Sequence, residues 1–149
     1  MRAAAAALLL GLAAFAGGCG EDRLVEPSQI VGDAIPASLT GAPGDPDRGR
    51  AIFTAREGGH CVLCHAVAGL DAEFQGNVGP ELSDVGARLT PGQIRLRIVD
   101  ASLLNPDTVM PAYYRIHGLN QVSHGLDGKP VLSSGQIEDL VAYLAALNG

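Results

Sequence analysis

Residues 61–65 read Cys-Val-Leu-Cys-His, and no other stretch limits the fold so tightly. Two thiols two residues apart, with an imidazole directly after them, can hold a metal ion, close into a disulfide or carry a cofactor. Each choice demands different surroundings. The chain has three cysteines, and the third, Cys19, stands at the end of an N-terminal leader. That leader, MRAAAAALLLGLAAFAGGCG, has one cation (Arg2), an apolar run and a small-residue end. The layout is that of an export signal over residues 1–19, too short and too rich in Ala and Gly for a stable membrane span.

Two processing routes fit the leader. Ala14 to Ala16 form an ordinary small-residue cleavage site, whereas Ala16 to Cys19 resemble a bacterial lipobox with Ala16 where Leu is usual. On the second route Cys19 becomes a lipid-modified N-terminus and a membrane tether. Both routes place the mature chain in the periplasm. Cys61 and Cys64 then have no other thiol to pair with, and an oxidising compartment joins them unless something else claims them.

Residues 20–44 are rich in Pro, Gly, Ser and Asp without a sustained apolar period, so they read as a linker or a loosely packed arm. The folded domain is expected over residues 45–149. Asp45 can cap a helix with Pro46 in its first turn, and Gly58 and Gly59 would end it. A second helix is signalled by Thr90, Pro91 and Gln93, and a third by Ser133 and Gln136. In the third, Ile137, Leu140, Val141, Leu144 and Leu147 form one apolar stripe. No repeat and no long strand pattern appears, so the expected class is all-α, three main helices joined by long loops.

Loops of that length are uncommon in a small domain unless something binds within them. Beyond the leader there are two Phe, three Tyr and no Trp, a thin supply of large side chains for a core. A covalent haem supplies the missing apolar body. In C-x-x-C-H each cysteine adds across a haem vinyl group, and the following histidine reaches the iron from one face. The alternatives fit less well. Zinc needs four ligands, and His60, His65, His117 and His124 do not form a second short-spaced pair. A redox C-x-x-C wants a βαβ setting, for which there is no pattern.

The other axial position follows by elimination. The methionines are Met1, lost with the leader, and Met110, 45 residues after His65 in a loop stiffened by Pro106 and Pro111. A thioether ligand is therefore Met110, with His117 or His124 as bis-histidine alternatives. His60 reads as a surface residue. Gly79-Pro80 matches the Gly-Pro of class I cytochromes c, in which the Pro carbonyl takes the N–H of the proximal histidine; the same role is expected of Pro80. Tyr113, Tyr114 and Arg115 could shape the haem edge or serve as packing and surface residues.

The net charge is −6, or −7 without Arg2, and Lys129 is the one lysine. No basic stripe of the kind nucleic acid needs is present, nor a lysine-rich face for electrostatic steering. A partner held through a larger, less charge-dependent interface fits better.

From about Asp45 to Gly149 the chain resembles a class I cytochrome c. The segments MPAYY (Met110 to Tyr114), Gly118-Leu119, GKPVL (Gly128 to Leu132) and EDLVAYL (Glu138 to Leu144) are together similar to the SoxX family of monohaem subunits of the bacterial sulfur-oxidation system. That resemblance implies a fold in which the first and last helices cross beside one haem c. It also implies a SoxA-like cytochrome partner, a SoxYZ-like carrier and a c-type electron acceptor. In that scheme the complex couples thiosulfate oxidatively to a carrier cysteine, as an L-cysteine S-thiosulfotransferase. The bond-forming centre lies on the SoxA side, and the SoxX haem takes the electrons. The chain departs from the family in NQVSHGLD, which has no basic residue before Val122. The competing function is a stand-alone or lipid-anchored electron shuttle.

Overall fold

Three helix starts are written into short side chains. Asp45 accepts from the N–H groups of Asp47 and Arg48, Thr90 from that of Gln93, and Ser133 from that of Gln136. The amide oxygens of Gln93 and Gln136 accept in return from the N–H groups of Thr90 and Ser133, completing two capping boxes. In the computed structural model, which describes residues 24–149, these caps open three of four helices. They are α1 (Pro46–Thr54), the single turn α2 (Val85–Arg88), α3 (Pro91–Asp100) and α4 (Ser134–Ala145). The described residues hold no strand, only an isolated bridge between Val31 and Ala34, and the expected all-α class is borne out. The expected signal over 1–19 and Cys19 lie outside the described residues.

Two helix details differ from the sequence reading. The segment around α2 is turn-rich and reads as loop in the sequence, one of the long loops between the expected helices. Helix α1 stops at Thr54, ahead of the two glycines. The Thr54 hydroxyl donates back to the carbonyls of Arg50 and Ala51, a bond that competes with continuing the helix.

Helices α1 and α4 cross in close contact. A Cβ on Gly49 would collide with the carbonyl of Asp139, so only glycine allows this approach. At the crossing Phe53 and Tyr143 meet with ring centroids 5.6 Å apart and their planes tilted by 58°. The α4 stripe points inward as expected: Ile137, Leu140, Val141 and Leu144 are buried beside Leu96 of α3 and Leu132. Leu147 lies past the helix end, where its carbonyl accepts from Gly86 N at 2.7 Å and ties the C-terminus to α2.

Residues 24–44, read as a linker or loosely packed arm, lie against this core. Ile35 is fully buried, its N–H donates to the Gly92 carbonyl, and its own carbonyl accepts from Arg95 at 2.6 Å. Arg95 also makes two bonds, 2.7 and 2.8 Å, to the carboxylate of Glu138, which in turn accepts from Leu39 N. The pair is buried, with side chains 6% and 4% exposed. The sequence concealed this because the apolar residues that pack on the core, Val25, Ile30, Ile35 and Leu39, follow no helical or strand period, and the polar ties, Asp33 to Gln93 and Arg97 among them, reach across 60 or more residues.

Breaking such a pair strands a buried charge. Arg95→Met is expected to lower the unfolding free energy by about 3–5 kcal/mol, measured by denaturant titration of the haem-loaded chain. A second prediction concerns Asp139, which accepts from both Arg48 and Asp45 N. Arg48 beside it holds the carboxyl below its ordinary value of 3.8. A lowered folded-state pKa stabilises above the ordinary value and is lost as pH falls through the lowered one. Acid unfolding should therefore shift to higher pH in Asp139→Asn.

Candidate haem site

Cys61–Leu63 form a single 3-10 turn, and the N–H groups of Cys64 and His65 both donate to the Cys61 carbonyl, at 3.1 and 2.9 Å. His60 enters this turn with φ 46° and is half-buried rather than fully exposed. Residues 76–82 then run back along 62–66. Gly76 N donates to Val62 O at 2.9 Å, Gly79 N to Cys64 O at 2.8 Å, and Leu82 N to Ala66 O at 2.9 Å. The intervening loop closes through the Gln75 side chain, which accepts from Val67 N at 2.7 Å.

This return run puts the Pro80 carbonyl 2.7 Å from His65 Nδ1. A carbonyl only accepts, so Nδ1 carries the hydrogen and Nε2 keeps its lone pair. Residue 79 has to be glycine here, because a Cβ would run into the imidazole ring. The sequence pointed to Pro80; it gave no direct sign that Gly79 is what lets the loop lie flat on the ring.

His65 and Met110 line one narrow cleft with Cys61. Its remaining walls are the apolar side chains of Phe53 from α1, Leu82, Ile98 from α3, and Leu140 and Leu144 from α4, with Tyr113 beside them. Met110 arrives on an irregular segment folded by local turns: Asn105 Oδ1 accepts from Asp107 N and Thr108 Oγ1 from Met110 N. His117 and His124 do not line the cleft. Arg115 is bound elsewhere, donating to Asp100 at 2.8 Å and Ser102 at 3.0 Å. Tyr113 donates its hydroxyl to the Gly59 carbonyl at 2.8 Å, and burial pushes its pKa up to about 12.

Burial likewise pushes the Cys61 thiol up to about 12, so it is not the thiolate that a redox-active pair would present. Among the described residues no three His, Cys, Asp or Glu side chains converge as a metal cluster would require. The donor set is instead two thiols, an imidazole with a free nitrogen lone pair, and a thioether, set in apolar walls. That set fits a covalently attached haem.

Residues 46–148 match the family model described as Cytochrome c, and the chain belongs to the cytochrome c family. Among solved structures it is similar to a chain of SoxXA from P. pantotrophus. That match has 38% identity and a TM-score of 0.75, over 84% of this chain and 98% of that one. It is also similar to the c-type cytochrome SorU from Sinorhizobium meliloti, at 26% identity and a TM-score of 0.45, over 69% of this chain and 90% of that one. Among curated proteins none matches. The fold is that of a class I cytochrome c with one covalently bound haem c, and the likeness to SoxX read from the sequence is borne out.

Adding one methyl group against the imidazole tests the geometry. Gly79→Ala is expected to cost the haem-loaded protein about 1–3 kcal/mol through overpacking, measured by denaturant unfolding, or else to displace the loop that carries Pro80.

Proposed function

We propose that this chain is the electron-accepting monohaem subunit of a SoxXA-type complex. The observation that carries the reading is a match spanning nearly all of a SoxXA chain, combined with one cleft that brings an imidazole and a thioether together. Haem c, when bound, supplies a one-electron Fe(III)/Fe(II) couple. Cys61 and Cys64 would anchor it through thioether links, and His65 Nε2 and Met110 Sδ are the atoms that would bind its iron. Pro80 holds the His65 ring in orientation. Phe53, Ile98, Leu140 and Leu144 keep water from the cleft. A neutral, soft thioether favours the reduced iron and raises the potential relative to two imidazoles, which suits a subunit that receives electrons.

The thiosulfate chemistry belongs on a partner. With Cys61 and Cys64 committed to haem, the sequence has no further thiol except Cys19. The chain should therefore not make a sulfur–sulfur bond by itself. The partners are a SoxA-like cytochrome, a SoxYZ-like carrier whose cysteine takes up the thiosulfate, and a c-type acceptor. The setting is the periplasm, with a lipid on Cys19 as the membrane tether. No helix among the described residues is long and apolar enough to cross a membrane.

Native purification tests the assignment. The chain should co-elute with a second c-type cytochrome, and its deletion should abolish thiosulfate oxidation; a chain that elutes alone from a strain whose deletion leaves that oxidation intact overturns the reading. Met110→Ala is expected to lose the Met–Fe(III) charge-transfer band and to lower the reduction potential. A pyridine haemochrome spectrum without covalent haem would sink the cofactor assignment altogether.

A further inference from the structure

Tyr113 comes three residues after Met110 and is held on several sides. Its N–H donates to Ile98 O at 3.3 Å, and its carbonyl accepts from Leu132 N at 3.1 Å. Its hydroxyl donates to Gly59 O at 2.8 Å, across 54 residues of sequence. Gly59 lies two residues before Cys61, so one side chain joins the segment bearing Met110 to the turn bearing the first thiol. Both segments face the same cleft.

Ahead of Tyr113 the Met110 segment is held by bonds within its own turns. The Met110 N–H bonds within its own turn, to Thr108 Oγ1 at 3.2 Å, and neighbouring Val109 is 80% exposed. On the other side of the segment lies a cavity of about 550 Å³, bounded by Pro106, Met110, Leu119 and Val122. The sulfur thus sits between a narrow apolar cleft and a wider space into which its segment has room to withdraw. Tyr113 is the first tie to the rest of the molecule that follows it, ahead of Tyr114 N on Val99 O at 3.2 Å and Arg115 on Asp100 at 2.8 Å.

We propose that Tyr113 is a positioning residue for Met110: its bond to Gly59 holds the thioether-bearing segment over the cleft and opposes withdrawal toward the cavity behind. The proposal rests on Met110 being the sixth ligand. Loss of the hydroxyl leaves the Gly59 carbonyl without its donor while keeping the ring in the cleft wall. The ratio of closed to withdrawn segment should then fall by up to about tenfold, the net weight of one part-buried hydrogen bond.

The test uses the ferric haem-loaded full chain, with imidazole as a competing sixth ligand followed by absorption. Tyr113→Phe is expected to bind imidazole about tenfold more tightly than the parent and to show a weakened Met–Fe(III) charge-transfer band. Ser133→Ala, which removes the α4 cap at about the same cost in stability, should leave both readouts at parental values. Unchanged imidazole affinity in Tyr113→Phe, or an equal shift in Ser133→Ala, overturns the proposal. Met110→Ala separates the two failures. If it keeps the charge-transfer band, the ligand assignment falls; if it loses the band while Tyr113→Phe changes nothing, only the role of Tyr113 falls.

Discussion

Two adjacent carboxylates on α4 organise the fold. Glu138 takes Arg95 from α3 and the N–H of Leu39, while Asp139 takes Arg48 from α1 and the N–H of Asp45. Consecutive helical residues point about 100° apart, so one dipeptide serves two directions. Buried ion pairs add little net stability compared with apolar packing, but they are costly to break and tolerate few alternative partners. Here the buried Arg95–Glu138 pair holds α3 and the N-terminal arm to α4, while Arg48, largely exposed, ties α1 to it from the surface. The apolar contacts at the crossing, Phe53 against Tyr143, supply the burial.

The cleft follows from that arrangement. Its walls come largely from α1, α3 and α4, yet His65 and Met110 arrive from segments outside them. The His65 side is fastened by a ladder of backbone bonds between residues 62–66 and 76–82, with Pro80 closing on the ring. The Met110 side has local turns and the Tyr113 bond. This asymmetry fits the different demands of the two proposed ligands. An imidazole has to be oriented as a plane and held in one tautomer, whereas a flexible thioether needs only to be kept within reach.

Much of the site was legible because its chemistry is local. Cys61, Cys64 and His65 are consecutive or nearly so, and Met110 followed from the lack of any other methionine past the leader. Gly79-Pro80 matched a family pattern, and the caps at Asp45, Thr90 and Ser133 were read from side chains that act within one turn. The packed arm was not legible. Its hold depends on Arg95 and Glu138, which lie 60 and 103 positions from Ile35, so no local pattern links them to it. The Gly79 contact was missed for a related reason, since it is a demand made by a ring on a distant piece of backbone.

By itself the sequence determined the cofactor class, through the C-x-x-C-H pattern of residues 61–65, and where three helices begin, because each depends on neighbours a few residues apart. Tertiary structure decided that residues 24–44 belong to the body of the protein. It also decided that Met110, rather than His117 or His124, shares a cleft with His65, and that Tyr113 reaches back to Gly59. Those outcomes depend on pairings across 45 residues or more of chain, and such pairings exist only once α1, α3 and α4 have been drawn together.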